Sequence, residues 1–239
     1  MDCLVRFKKK EIINNVNSFI VSGLNIFTAN QTCPNEFGKD TDLPFLKFFN
    51  CMMEPYETIA LIGAPAMRNW IHYVKCRRDE TVSPETVLGK DIFYHTLSLI
   101  FYNGSFVEDW QRKYGPSILF RLSGDETVLK LLDIFMGWDA VAFFLFEKGD
   151  NGLGFTKETL EKYQSGNDII SAVLQKAGYF IKSEGDCQYL EIYSNRTDAE
   201  NQIKAACEQA ERYIKSTEWY FNNKDKLLRN DLDMCFFAD

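Results

Sequence analysis

The chain has 239 residues, with 34 acidic against 27 basic side chains, a formal charge of −7, and 46% hydrophobic and 15% aromatic residues. That hydrophobicity excludes intrinsic disorder, and the length suffices to bury a sizeable core. The acidic balance disfavours general affinity for nucleic acid or anionic lipid, which depends on clustered Lys and Arg, and suits docking against a basic partner.

Residues 2–7 predict a short strand. From Glu11 onward Ile12, Ile13, Val16, Phe19, Ile20 and Leu24 recur at helical spacing and predict an amphipathic helix ending near Gly23. The stretch 29–42, rich in Asn, Thr, Gly, Asp and Pro, predicts a long loop. Asp42 is placed to cap a helix carrying Phe45, Leu46, Phe48, Phe49 and Met52. Pro55 and Pro65 punctuate a further helical region with Trp70, Tyr73 and Val74 on its apolar face. Ser83-Pro84 is a helix start signal, and Leu88, Ile92, Phe93, Leu97, Ile100 and Phe101 extend that helix over 84–102.

Three capping boxes, Ser105 with Glu108, Ser123 with Glu126 and Thr197 with Glu200, predict helices starting near 106, 124 and 198. Between the last two, Ile118–Leu122 and the unbroken apolar run Ala140–Phe146 predict strands, the second covered on both faces. Tyr179–Lys182 and Gln188–Tyr193 flank a turn at 183–186 and predict a hairpin, with helices at 156–164 and 168–177 before it. The expected fold is α+β: a helix-rich N-terminal half packed on a C-terminal half with a roughly four-stranded sheet and a long C-terminal helix over 197–229. It is expected to form one integrated domain over 1–239, subdivided near 115 if at all.

Seven dispersed cysteines (3, 33, 51, 76, 187, 207 and 235) and the lack of an export signal predict free thiols and a cytoplasmic location. No apolar run approaches the roughly 20 residues of a membrane span. Asp2 stands where myristoylation needs glycine, and Cys235 is one position from where prenylation needs it.

The chain has only two histidines. On a helix His72 would share a face with Arg68 and Cys76, which allows a thiol activated by an imidazole, half a metal site that lacks its further ligands, or a partly exposed polar stripe beside a half-buried cysteine. His95, one helical turn after Asp91, allows either an oriented general base or an exposed pair. The stretch Gly149-Asp150-Asn151-Gly152-Leu153-Gly154 has the wrong spacing for a phosphate loop and lacks the glutamate of a calcium loop, so a turn after the strand is expected. The basic clusters Arg6 with Lys8–Lys10, and Lys75 with Arg77 and Arg78, fit solvated surface; neither has the basic-aromatic signature of an RNA-recognition module.

Trp219, Tyr220 and Phe221 are the strongest binding signal. Successive helical residues point about 100° apart, so three consecutive aromatics cannot all face one core, and Trp and Tyr are enriched in binding hot spots. The expected function is that of a non-enzymatic cytosolic protein that docks on a macromolecular partner with a basic surface and inhibits or neutralises it, as an immunity-type or antagonist protein would. No metal or cofactor is expected, and nucleic acid is disfavoured as a partner. The alternative is a thiol-dependent enzyme using Cys76 or another cysteine with His72 or with His95, the latter beside Asp91.

Overall fold

The computed structural model describes residues 4–10, 16–24, 43–63, 92–95, 99–102, 105–108, 117–122, 141–162, 166–184 and 189–228. Ten strands and five helices lie within them. The strands are β1 (Arg6–Lys9), β2 (Asn17–Ser22), β3 (Tyr56–Ile62), β4 (Ile92–His95), β5 (Leu99–Tyr102), β6 (Ser105–Glu108), β7 (Ser117–Arg121), β8 (Val141–Glu147), β9 (Tyr179–Glu184) and β10 (Tyr189–Ser194). The helices are α1 (Leu43–Met53), α2 (Gly152–Lys162), α3 (Gly166–Val173), α4 (Ala199–Ser216) and α5 (Glu218–Leu228).

Eight strands form one sheet in the order β1-β2-β10-β9-β8-β3-β7-β4, and β5 and β6 form a separate hairpin. Every pairing is antiparallel. Strand side chains alternate between faces, and each face of this sheet carries its own core. One face packs Phe19, Val21, Ala60, Phe120, Phe143, Leu145, Ile181 and Ile192 against Phe45, Phe48, Phe49 and Met52 of α1 and Ile203, Ala206, Ala210 and Ile214 of α4. The other packs Ile59, Leu61, Leu119, Phe144, Phe146 and Phe180 against Leu160 of α2, Ile169 and Val173 of α3, and Phe101 of β5. Helices thus cover both sides of the sheet. Each fully buried Phe contributes about 1.5–3 kcal/mol relative to exposure.

The expected helix-rich N-terminal half on a four-stranded sheet is not what the chain forms. The segment expected as a helix ending near Gly23 carries β2, in which Phe19 and Val21 point inward and Ile20 is half-buried. Ile, Val and Phe satisfy a helical spacing and a two-residue alternation over so short a run, and pairing with both β1 and β10 decides for the strand. Gly23 then takes φ +87°, and a Cβ there would lie 2.1 Å from the Leu4 carbonyl oxygen, so the turn out of β2 needs glycine. The helix expected over 84–102 contains β4 and β5 instead. The capping box at Ser105 and Glu108 is strand β6, in register with β5 from Tyr102↔Ser105 to Leu99↔Glu108. The region after Pro55, expected as helical, opens with β3, a central strand with neighbours on both sides.

Other expectations match. Helix α1 carries the five predicted apolar residues, β8 is buried on both faces from Val141 to Phe146, and β9 and β10 pair as predicted. Helix α4, the longest described, starts at Ala199. Its capping box does not close: Asp198 is the N-cap without a side-chain cap bond, and the Glu200 carboxylate pairs with Lys204 at 2.7 Å. The loop over 29–42, the helix expected near 124 and the region of Trp70, Tyr73 and Val74 lie outside the described residues. No helix among the described residues is long and apolar enough to cross a membrane.

Candidate functional site

The helix expected over 197–229 is broken at Thr217, whose extended backbone (φ −85°, ψ 149°) ends α4. The threonine serves both helices. Its N–H and hydroxyl donate to the Ile214 carbonyl at 3.1 and 2.6 Å, while its hydroxyl oxygen accepts from the Tyr220 N–H at 3.3 Å and caps α5. Ser216 donates its hydroxyl to the Tyr213 carbonyl at 2.7 Å. Such side-chain bonds to the backbone compete with helix continuation, which accounts for the break.

Beyond it, α5 begins at the end of the sheet where β1 starts, since Glu211 near the end of α4 accepts from the Val5 N–H at 3.5 Å. Tyr220 is partly buried and packs on the core beneath α1 and α4. Phe221 is 60% exposed, the only large hydrophobic side chain so exposed among the described residues. Its ring sits 6.1 Å from that of Tyr220 at 66°, an edge-on contact that holds it in place. Asn222, Lys224 and Asp225, also exposed, surround it with polar groups. Trp219 lies within α5, and its side chain lies outside the described residues. An anchored Tyr220 beside an exposed Phe221 is the division of faces that helical geometry demands.

The proposed nucleophilic constellations fare differently. Arg68, His72, Cys76 and Asp91 lie outside the described residues. His95 ends β4 opposite Ser117, so the helical spacing invoked to orient it against Asp91 does not apply; its side chain lies outside the described residues. Of the described thiols, Cys207 is buried, and the Cys51 thiol is pushed up by burial and by Glu54, which weakens it as a nucleophile. No cluster of His, Cys, Asp and Glu among the described residues has the form of a metal site.

Two features lacked a sequence signal. At the end of the sheet where α4 begins, the Tyr56 and Tyr179 hydroxyls donate to Gln202 Oε1 at 3.0 and 2.5 Å. Gln202 Nε2 donates to Asp198 at 2.9 Å, and Arg196 donates to Asp198 at 2.9 and 3.2 Å and to Glu147. The Arg196 hydrogen bond holds the Asp198 carboxyl below the usual carboxylate range. Burial, followed by the neighbouring Tyr56, pushes the Tyr179 hydroxyl well up, so it remains a donor across the accessible pH range.

The second feature is an open cavity of about 310 Å³ at the same end but on the opposite face, lined by Phe146, Asp150, Asn151, Phe155, Glu158 and Lys176. The glycine-rich stretch after β8 builds it. Gly149 turns the chain at φ +98°, Asn151 Oδ1 accepts from the Gly154 N–H at 3.2 Å, and α2 starts at Gly152. A Cβ on Gly152 would meet the Phe146 ring at 2.6 Å, so glycine lets α2 lie directly on that ring. The expected turn is therefore a helix start that frames a cavity.

No protein-family model, curated protein or solved structure matches the chain.

Proposed function

We propose that the protein is a docking protein, binding a macromolecular partner through the exposed face of α5 and blocking that partner's activity. The observation that carries this reading is Phe221, a large apolar side chain held outward on a capped helix whose neighbouring Tyr220 is fixed to the core. Exposing an aromatic ring to water is unfavourable, and burying it against a partner reverses that cost. The formal charge of −7 favours a partner with a basic surface, because complementary potentials speed encounter. Polar neighbours around Phe221 fit the rim that surrounds an apolar anchor in a protein–protein interface.

The test compares the full chain with its Phe221→Ala variant. Both are immobilised in native lysate at physiological salt, and any partner retained at unit stoichiometry is titrated against each and assayed for loss of its own activity. A hot-spot aromatic costs about 2 kcal/mol or more on truncation, roughly thirtyfold in affinity. The expected result is that loss with an unchanged melting temperature. Equal affinity of the two chains for every partner retained, or no partner at all, overturns the reading.

A further inference from the structure

The cavity between β8 and α2 has chemistry of its own. Its aromatic side is Phe146 and Phe155, whose rings meet edge to face at 6.3 Å and 77°. The Lys176 ammonium lies 4.5 Å over the Phe155 ring centroid, so the chain itself shows that this ring face accepts a cation. Two carboxylates, Asp150 and Glu158, share the lining, and neither forms an ion pair among the described residues. Lys176 sits on the ring rather than within bridging distance of either carboxylate. The lining therefore holds two negative charges against one positive, beside an aromatic face.

Helix capping does not account for this arrangement. Asp150, just before α2, fits the positive end of the helix macrodipole, but that effect fades within the first turn, and Glu158 lies beyond it. Asn151 already supplies the cap. An anion is disfavoured by both carboxylates. A volume of about 310 Å³ is at the small end of ligand pockets, enough for one compact group rather than a large cofactor.

We propose that this cavity binds an organic cation, an alkylammonium or guanidinium group, held over Phe155 and between the Asp150 and Glu158 carboxylates, with Lys176 as the internal cation that it displaces. The same chemistry is offered by a free small amine and by a basic side chain of a protein. The cavity lies at the opposite end of the sheet from α5, so this inference stands whether or not Phe221 docks a partner.

The test uses the intact chain at constant ionic strength, titrated with choline, with its neutral isostere 3,3-dimethyl-1-butanol, and with short uncharged-backbone peptides carrying one lysine or one arginine. Binding is followed by calorimetry and by chemical shifts of residues 146–158. A cation is expected to bind at least tenfold more tightly than the neutral isostere. Glu158→Gln and Phe155→Leu are each expected to weaken cation binding at least threefold, and Lys176→Met to tighten it. Melting curves establish that each variant is folded, and Asp150→Asn replaces any that is not. Preference for choline assigns the site to a free amine, and preference for a peptide to a partner's side chain. Equal binding of choline and its isostere, no saturable binding by any cation, or no change in Glu158→Gln overturns the proposal.

Discussion

Replacing Gln202 by leucine isolates the role of the tyrosine network. The side chain is nearly conserved in size, so packing changes little, but its carbonyl acceptor disappears. Two hydroxyls then lose the acceptor they share and keep only each other: that of Tyr179, a fully buried residue, and that of Tyr56, which is 7% exposed. A buried hydroxyl left without a partner costs about 1–3 kcal/mol. One donor of the pair is left without an acceptor, so the expected loss is about 1–3 kcal/mol. In a domain of this size each kcal/mol shifts the melting temperature by about 2–4 °C, so Gln202→Leu should melt about 2–12 °C lower. Adding Tyr179→Phe removes one orphaned hydroxyl, and the double variant should regain about 1 kcal/mol or more, because replacing both partners by apolar groups is nearly neutral. Urea unfolding followed by circular dichroism measures all four corners of this cycle. A Gln202→Leu chain within about 0.5 kcal/mol of wild type, or a double variant less stable than the single, would refute the reasoning.

Glu191→Gln should lower stability at pH 7 by up to about 3–5 kcal/mol, since Lys182, 3.2 Å from this carboxylate, is itself buried. Burial alone would raise the Glu191 carboxyl, but hydrogen bonds from Lys10 and Tyr193 and the charge of Lys182 outweigh it and hold it below the usual value. The stabilisation is therefore present above the unfolded value of about 4.3 and lost as pH falls through the lower folded one, so the gap between wild type and variant should narrow progressively as pH falls below about 4.3; a constant gap counts against this account. Gly152→Ala should cost about 1–3 kcal/mol by forcing α2 off the Phe146 ring, read by thermal melting, with wild-type stability as the contrary result. Tyr220→Ala should lower the melting temperature while Phe221→Ala leaves it within about 2 °C, and equal melting would mean that the two rings are not divided between core and solvent. In the native chain Cys207 should alkylate more slowly than Cys51, as peptide mass spectrometry would show, because only Cys51 is partly exposed.

What the sequence disclosed follows from how local each signal is. Helix α1 was legible because Phe45, Phe48, Phe49 and Met52 follow the i, i+3, i+4, i+7 spacing of one helical face over about two turns, which a strand's two-residue alternation does not reproduce. Strand β8 was legible because six consecutive apolar residues suit a strand buried on both sides. Strands β2, β4 and β5 were not, because runs of four to six residues fit either period, and the partners that decide the matter lie far along the chain. One local signal was there to be used: Asn103-Gly104 stands between Tyr102 and Ser105, the residue pair favoured in two-residue hairpins. The exposure of one aromatic in α5 followed from helical geometry alone. The cavity beside Phe155 could not, since its walls come from the end of β8, from α2 and the turn before it, and from the turn after α3.

The order of the strands in the sheet bears on how the chain is made. Strand β2 pairs on one side with β10, and β3 lies between β7 and β8, so early strands wait for late ones. At about 5–20 residues per second, a ribosome needs roughly 10–40 s to synthesise the chain as far as Ser194. Until Ser194 is made, Phe19 and Val21 lack β10, and until Glu147 is made the apolar run of β3 lacks β8. Nascent chains stalled before β9 should therefore recruit chaperones that cover extended apolar segments, and chains released after β10 should not.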